Sequence, residues 1–114
     1  IDQLKQALTK SQAEANSEQE AMIFYQLGGL EHQRDNHEQA KKYFQQSYRI
    51  NEEINNIEGS SYAGLALGKL LFVMGDREHG RSMVERCHRN FDKLGNDQMA
   101  ADAKATLDQM ENQD

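Results

Sequence analysis

The sequence predicts an all-α chain of stacked helical hairpins, and three observations predict it. The first is a self-similarity with a period of forty residues. Leu27-Gly28 recurs as Leu67-Gly68, Ala40 and Phe44 as Gly80 and Val84, and Ser47 as Cys87, while Asn16, Asn56 and Asn96 share one phase just ahead of helical patterns. A fixed period of this kind means that one structural unit is stacked on itself. The second is composition: there is no proline and β-branched residues are sparse, as helices prefer. The third is the shortness of the breaks, two to four residues each, which forces successive helices to run antiparallel as neighbours.

Helix punctuation divides the chain into six segments. The first, over residues 1–15, has the stripe Ile1, Leu4, Ala7 and Leu8 on one face. The second starts at Ser17, which with Glu20 forms a capping box, and continues through Ile23, Phe24, Leu27 and Leu30 to about Arg34. Because those apolar residues keep helical phase across Gly28-Gly29, the glycines are read as lying inside the helix. Asp35 or Asn36 caps the third, whose stripe is Ala40, Tyr43, Phe44, Ser47, Ile50 and Ile54. After the break at Asn55-Asn56 the fourth carries Ala63, Ala66, Leu67, Leu70, Leu71 and Met74. Gly75 supplies a left-handed end and Asp76 caps the fifth, with Met83, Val84, Cys87, Phe91 and Leu94 before Gly95. Asn96 or Asp97 caps the sixth, which shows Met99, Ala103, Leu107 and Met110 on one side.

The 114 residues suit one domain. Such a chain buries roughly 65% of its unfolded surface. An apolar content of 37% and a mean hydropathy of -0.93 point to a thin, aliphatic core. The longest apolar run, Leu70 to Met74, is far short of the ~18 residues of a membrane span. The net charge of -6 disfavours nucleic acid, whose phosphates need clustered Lys and Arg. A lone cysteine, Cys87, forms no internal disulfide and suits a reducing compartment, so a cytoplasmic location is expected. No secretory leader pattern stands at the amino end. The start on Ile1 reads as a fragment or processed chain.

Within each unit a bulky residue is followed by Leu-Gly, a small residue thirteen positions after the Leu, an aromatic or aliphatic residue four later and a small one three after that. The first unit has Phe24, Leu27-Gly28, Ala40, Phe44 and Ser47; the second has Gly64, Leu67-Gly68, Gly80, Val84 and Cys87. This pattern resembles the tetratricopeptide repeat, in the longer variant of about forty residues found in polarity adaptors, kinesin light chains and bacterial peptide-sensing regulators. The resemblance covers nearly the whole chain: a half-repeat helix over 1–15, repeats over 17–54 and 57–94, and a half-repeat or capping helix over 97–112. It departs from the family at Gly64, where an aromatic is usual, at Glu31 and Leu71, where a tyrosine is usual, and at Glu52 and Asp92, where a proline is usual. The resemblance implies a right-handed α-solenoid whose hairpins pack closely at Gly28, Ala40, Gly68 and Gly80.

It also implies a concave face lined by the first helix of each hairpin. The inward positions are Met22, Tyr25, Gly29 and His32 in the first unit, and Tyr62, Leu65, Lys69 and Phe72 in the second, with Val73 beside them. The expected peptide-binding residues are Met22, Tyr25, His32, Tyr62, Leu65, Lys69 and Phe72, an apolar and aromatic groove with one cation. Packing of Tyr62, Leu65 and Phe72 against the adjoining hairpin is the competing reading. The family's clamp for carboxylate-ended chaperone tails needs Lys and Asn where this chain has Tyr25, Gly29, Tyr62 and Ala66, so that clamp is not expected.

No catalytic or metal-binding motif accompanies the repeats. His32 and His37 straddle a turn, His79 and Cys87 lie eight apart, and no Cys-x-x-Cys, His-Glu-x-x-His or phosphate loop is present. No enzyme activity, cofactor or metal is expected, and Cys87 at a small core position reads as an inert thiol. Arg77, Arg81, Arg86 and Arg89 read as a solvated outer face or a contact for an acidic partner. The expected function is scaffolding, with a partner's segment held in the concave groove. The alternatives are a peptide-sensing regulatory domain and a structural spacer that self-associates into a homo-oligomer through its terminal helices.

Overall fold

A computed structural model describes residues 1–113 and is all-α. Its six helices are α1 (Asp2–Ala13), α2 (Ser17–Gln33), α3 (His37–Glu53), α4 (Ile57–Val73), α5 (Arg77–Leu94) and α6 (Asp97–Asn112). None of them is long and apolar enough to cross a membrane.

One turn is used five times. Ala15, Asp35, Asn55, Gly75 and Gly95 all have positive φ, at intervals of twenty residues. At each, the following residue donates its backbone N–H five positions back: Asn16 to Ser11, Asn36 to Glu31, Asn56 to Asn51, Asp76 to Leu71 and Asn96 to Phe91, at 2.8–3.0 Å. This six-to-one bond is the Schellman closure, which satisfies carbonyls left over at a helix end. The residue that closes one helix is then the N-cap of the next. Asn16, Asn56 and Asn96 each accept from the backbone N–H three residues on, from Gln19, Gly59 and Met99. The capping box expected at Ser17 and Glu20 is therefore not the cap of α2. Asn16 takes that role, because the left-handed turn at Ala15 brings its side chain over the first free N–H. Asn36 and Asp76 hold the N-cap positions of α3 and α5 without a side-chain bond to the helix.

Each helix packs against the next, and α4 also touches both α2 and α6, whereas the backbones of α1 and α3, and those of α3 and α5, do not come close. The arrangement is repeat-like. α2, α4 and α6 form one layer and the remaining helices the other, consistent with a shortest dimension of 20 Å, about two helix diameters. Three apolar clusters hold the layers together, each spanning three consecutive helices. Leu27, Phe24 and Ile50 centre the α1–α2–α3 cluster, Phe44, Leu67 and Leu70 the α3–α4–α5 cluster, and Phe72, Val84 and Phe91 the α4–α5–α6 cluster. Leu27 and Leu67, at one phase of the repeat, are both buried.

Small residues set the helix spacing. A Cβ on Gly80 would lie 2.5 Å from the Gly68 carbonyl oxygen and 2.7 Å from the Phe72 nitrogen, so α4 and α5 touch backbone to backbone. A Cβ on Gly28 would lie 2.6 Å from the Phe44 ring, so α2 admits an α3 aromatic at that level.

Candidate functional site

The layer of α2, α4 and α6 carries a furrow made of three adjoining depressions. The central one, of about 330 Å³, lies between α2 and α4 and reaches α6; it is lined by Tyr25, His32, Phe44, Tyr62, Leu65, Ala66, Lys69, Leu70, Val73 and Met99. A second, of about 280 Å³, continues from Tyr25 and Tyr62 toward the helix N-termini, past Met22, Glu18, Asn51 and Glu58. A third, of about 240 Å³, continues from Lys69 and Val73 along the α4–α6 seam, past Phe72, Gln109, Met110 and Gln113.

The ring positions follow from helix phase. Tyr25 lies against Phe44 with centroids 5.8 Å apart, in the space opened by Gly28. Tyr62 meets Phe91 edge to face at 5.2 Å, and Asn96 donates its side-chain N–H to the Tyr62 hydroxyl at 3.2 Å. That contact fixes the tyrosine from the base of α6. Burial, and secondly the nearby Tyr62, push the Tyr25 hydroxyl above its ordinary pKa, so it is a neutral hydrogen-bonding group there. His32 stacks on His37 across the α2–α3 turn, with centroids 5.6 Å apart.

Five of the seven expected residues, Tyr25, His32, Tyr62, Leu65 and Lys69, line the central depression; Met22 falls in the second and Phe72 in the third. Leu65 and Phe72 differ from the expectation of open groove positions. They are only 4% and 5% exposed and belong to the α4–α5–α6 core, together with Ala100, Ala103 and Met110 of α6. Arg77 further closes Phe72, its guanidinium 5.3 Å from the ring centroid. Both residues therefore shape the furrow's floor and offer little surface of their own. Met22 and Val73, in contrast, are 56% and 67% exposed.

The sequence pattern places Ala66 at an inward position, as the structure does, but it does not place Phe44, Leu70 or Met99 in the furrow. Phe44 falls on the second helix of its hairpin, away from the expected groove; the signal that could have found it is Gly28, which leaves room for an α3 ring to reach through. Met99 belongs to the apolar stripe of α6, and it straddles core and furrow.

The remaining reactive side chains are dispersed. His79 lies 3.4 Å from Asp76 and His88 3.8 Å from Asp92, in two separate pairs. No group of three or more His, Cys, Asp or Glu that could hold a metal ion occurs among the described residues. Burial pushes the Cys87 thiol up to about 12, so it is protonated at neutral pH and a poor nucleophile. The arginines of α5 do not form one patch: Arg77 covers Phe72, while Arg86 pairs with Glu52 of α3 at 3.2 Å.

No family model matches the sequence, and no curated protein is similar enough to register as a relative.

Proposed function

We propose that this chain is a tetratricopeptide-like, right-handed solenoid segment that binds a peptide segment of a partner protein along the α2–α4–α6 face. It acts as a scaffold or adaptor and carries no catalysis. One observation carries the reading. Met22, Tyr25 and Val73, half of the large hydrophobic side chains left exposed among the described residues, all line one continuous furrow. Exposed apolar surface gathered in a concavity with polar groups at its rim is the usual build of a peptide site. Burial there yields roughly 25 cal/mol per Å² before ordering costs are subtracted.

Self-association through the terminal helices has less support. The outward residues of α6 include exposed Asp102, Lys104, Asp108 and Glu111, and those of α1 include Gln3, Lys5, Gln6 and Lys10. Charged and amide side chains of this kind do not favour an apolar seam with a second copy.

The test is selection of binding peptides from a random library, followed by fluorescence anisotropy on variants that keep the core intact. Tyr25→Ser and Val73→Asp weaken the selected peptides at least tenfold. Ile54→Ser, which removes an exposed apolar side chain outside the furrow, leaves them unchanged. Equal binding by all three variants ends the proposal.

A further inference from the structure

The charges along the furrow are sorted. The chain carries a net charge of -6, yet no carboxylate lines the central depression, and its cation is Lys69. Lys69 is exposed and makes no ion pair among the described residues. The depression at the helix N-termini has the opposite character. Glu18 and Glu58 line it, no Lys or Arg does, and neither carboxylate has a cation partner among the described residues. First-turn acids offset the helix dipole and occur at every helix of this protein, which accounts for their residue type. Of these, Glu18 of α2 and Glu58 of α4 open into the furrow, and they do so together.

From this sorting we infer that the furrow takes an extended, internal peptide segment with a basic residue at one end, apolar side chains in its middle and an acidic residue about five positions from the basic one. The inference rests on the peptide-binding reading above and specifies the ligand's chemistry. The spacing comes from α4 alone, so it does not depend on how the helices are angled. Glu58 and Lys69 lie on that one helix, and at ~1.5 Å per residue their separation along its axis is about 16 Å. An extended segment rises about 3.3 Å per residue, so five residues cover that span. The basic side chain meets Glu18 and Glu58, the acidic one meets Lys69, and the apolar centre lies over Tyr25 and Tyr62. An extended chain can be laid in either direction, so the spacing and signs of its charges are specified, and their order is not.

The probe is an end-blocked, fluorescein-labelled hexapeptide with lysine first, aspartate last and leucines between. Two companions carry glutamine at both ends or lysine at both ends. The wild-type protein binds the lysine–aspartate peptide about fivefold more tightly than the glutamine peptide, the scale of a partly exposed ion pair. Lys69→Glu reverses the preference toward the two-lysine peptide. Glu18→Gln combined with Glu58→Gln removes the lysine's contribution and leaves the aspartate's. Both variants alter exposed side chains, and an unchanged thermal midpoint verifies the fold. Equal binding of charged and neutral peptides overturns this inference and leaves the apolar furrow standing. Failure of every peptide to bind the wild-type protein overturns it together with the peptide-binding reading.

Discussion

Cys87 and Ser47 occupy one phase of the repeat, and both are buried. Ser47 resolves its burial by donating to the Ala21 carbonyl at 2.8 Å, a bond that ties α3 to α2. Cys87 instead fills the space left by Gly64, where a Cβ would lie 2.6 Å from its sulfur. Its thiol titrates near 9.0 when unfolded and is pushed up to about 12 in the fold, chiefly by burial. The folded state therefore holds the proton more tightly, and the stability linked to it is complete below pH 9 and is lost as pH rises toward 12. Tyr48 behaves alike, raised to about 12 by burial and then by its hydrogen bond to Glu52. Urea denaturation from pH 8 upward isolates the cysteine: relative to Cys87→Ser, the wild-type protein loses stability with a slope of up to about 1.4 kcal/mol per pH unit above pH 9. Parallel curves for the two proteins would mean that the thiol is hydrated. A second residue-scale prediction concerns Ala15, held at φ 54° where Gly75 and Gly95 serve at equivalent turns. Left-handed backbone costs an L-residue about 1–2 kcal/mol, so Ala15→Gly raises stability by about 0.5–1 kcal/mol in urea unfolding. A loss would show that the turn at Ala15 relaxes to negative φ.

At the scale of the helix, glycines of similar appearance in the sequence have opposite roles. Gly29 lies inside α2 with nothing within 4 Å of where its Cβ would be, so Gly29→Ala gains helix propensity and stabilises by about 0.5–1 kcal/mol. Gly80 lies against α4 backbone, and Gly80→Ala must push α5 away, at a cost of about 1–3 kcal/mol. Thermal midpoints of the two variants should move in opposite directions; movement in the same direction would show that α4 and α5 do not touch there. Much of this level was legible in the sequence. Leu27 and Leu67 repeat at one phase, Ala40 and Gly80 at another, and all four are buried at helix contacts. Helix ends were less legible. Ser17 and Glu20 match a capping box, but the cap is chosen by the left-handed turn before it, and an alanine at that turn gives no signal. The furrow was legible on α2, where Met22 and part of Tyr25 stay open to solvent, and only partly on α4. Whether Leu65 and Phe72 open to solvent depends on where α6 lies over α4. That tilt is set by summed packing along two helices, and no single residue specifies it.

Across the whole molecule, stability is distributed through neighbouring helices, as in other stacked arrays. The three clusters overlap like links: α3 contributes to the first two and α4 and α5 to the last two. α4 meets four other helices, whereas α1 meets α2 alone. The α1 contribution is also thin, since Ile1, Leu4, Ala7 and Leu8 are only partly buried and Ser11 is its one fully buried residue. Ser11 donates to the Gln19 side chain at 2.8 Å, an anchor at one end of the helix that leaves the other end held by Ile1 and Leu4. Local opening energies follow such differences in buried contact. Native-state hydrogen exchange should therefore grade along the chain. α1 amides exchange first, by fraying of α1 from α2, and those of α4 exchange last, near the rate of global unfolding. A ligand bound in the furrow contacts α2, α4 and α6, so it slows exchange in α2 and α4 and leaves α1 unchanged. Uniform protection across all six helices would show a single cooperative unit in place of a graded stack. Strong ligand protection of α1 would put the bound segment on the opposite side of the molecule, away from Tyr25 and Val73.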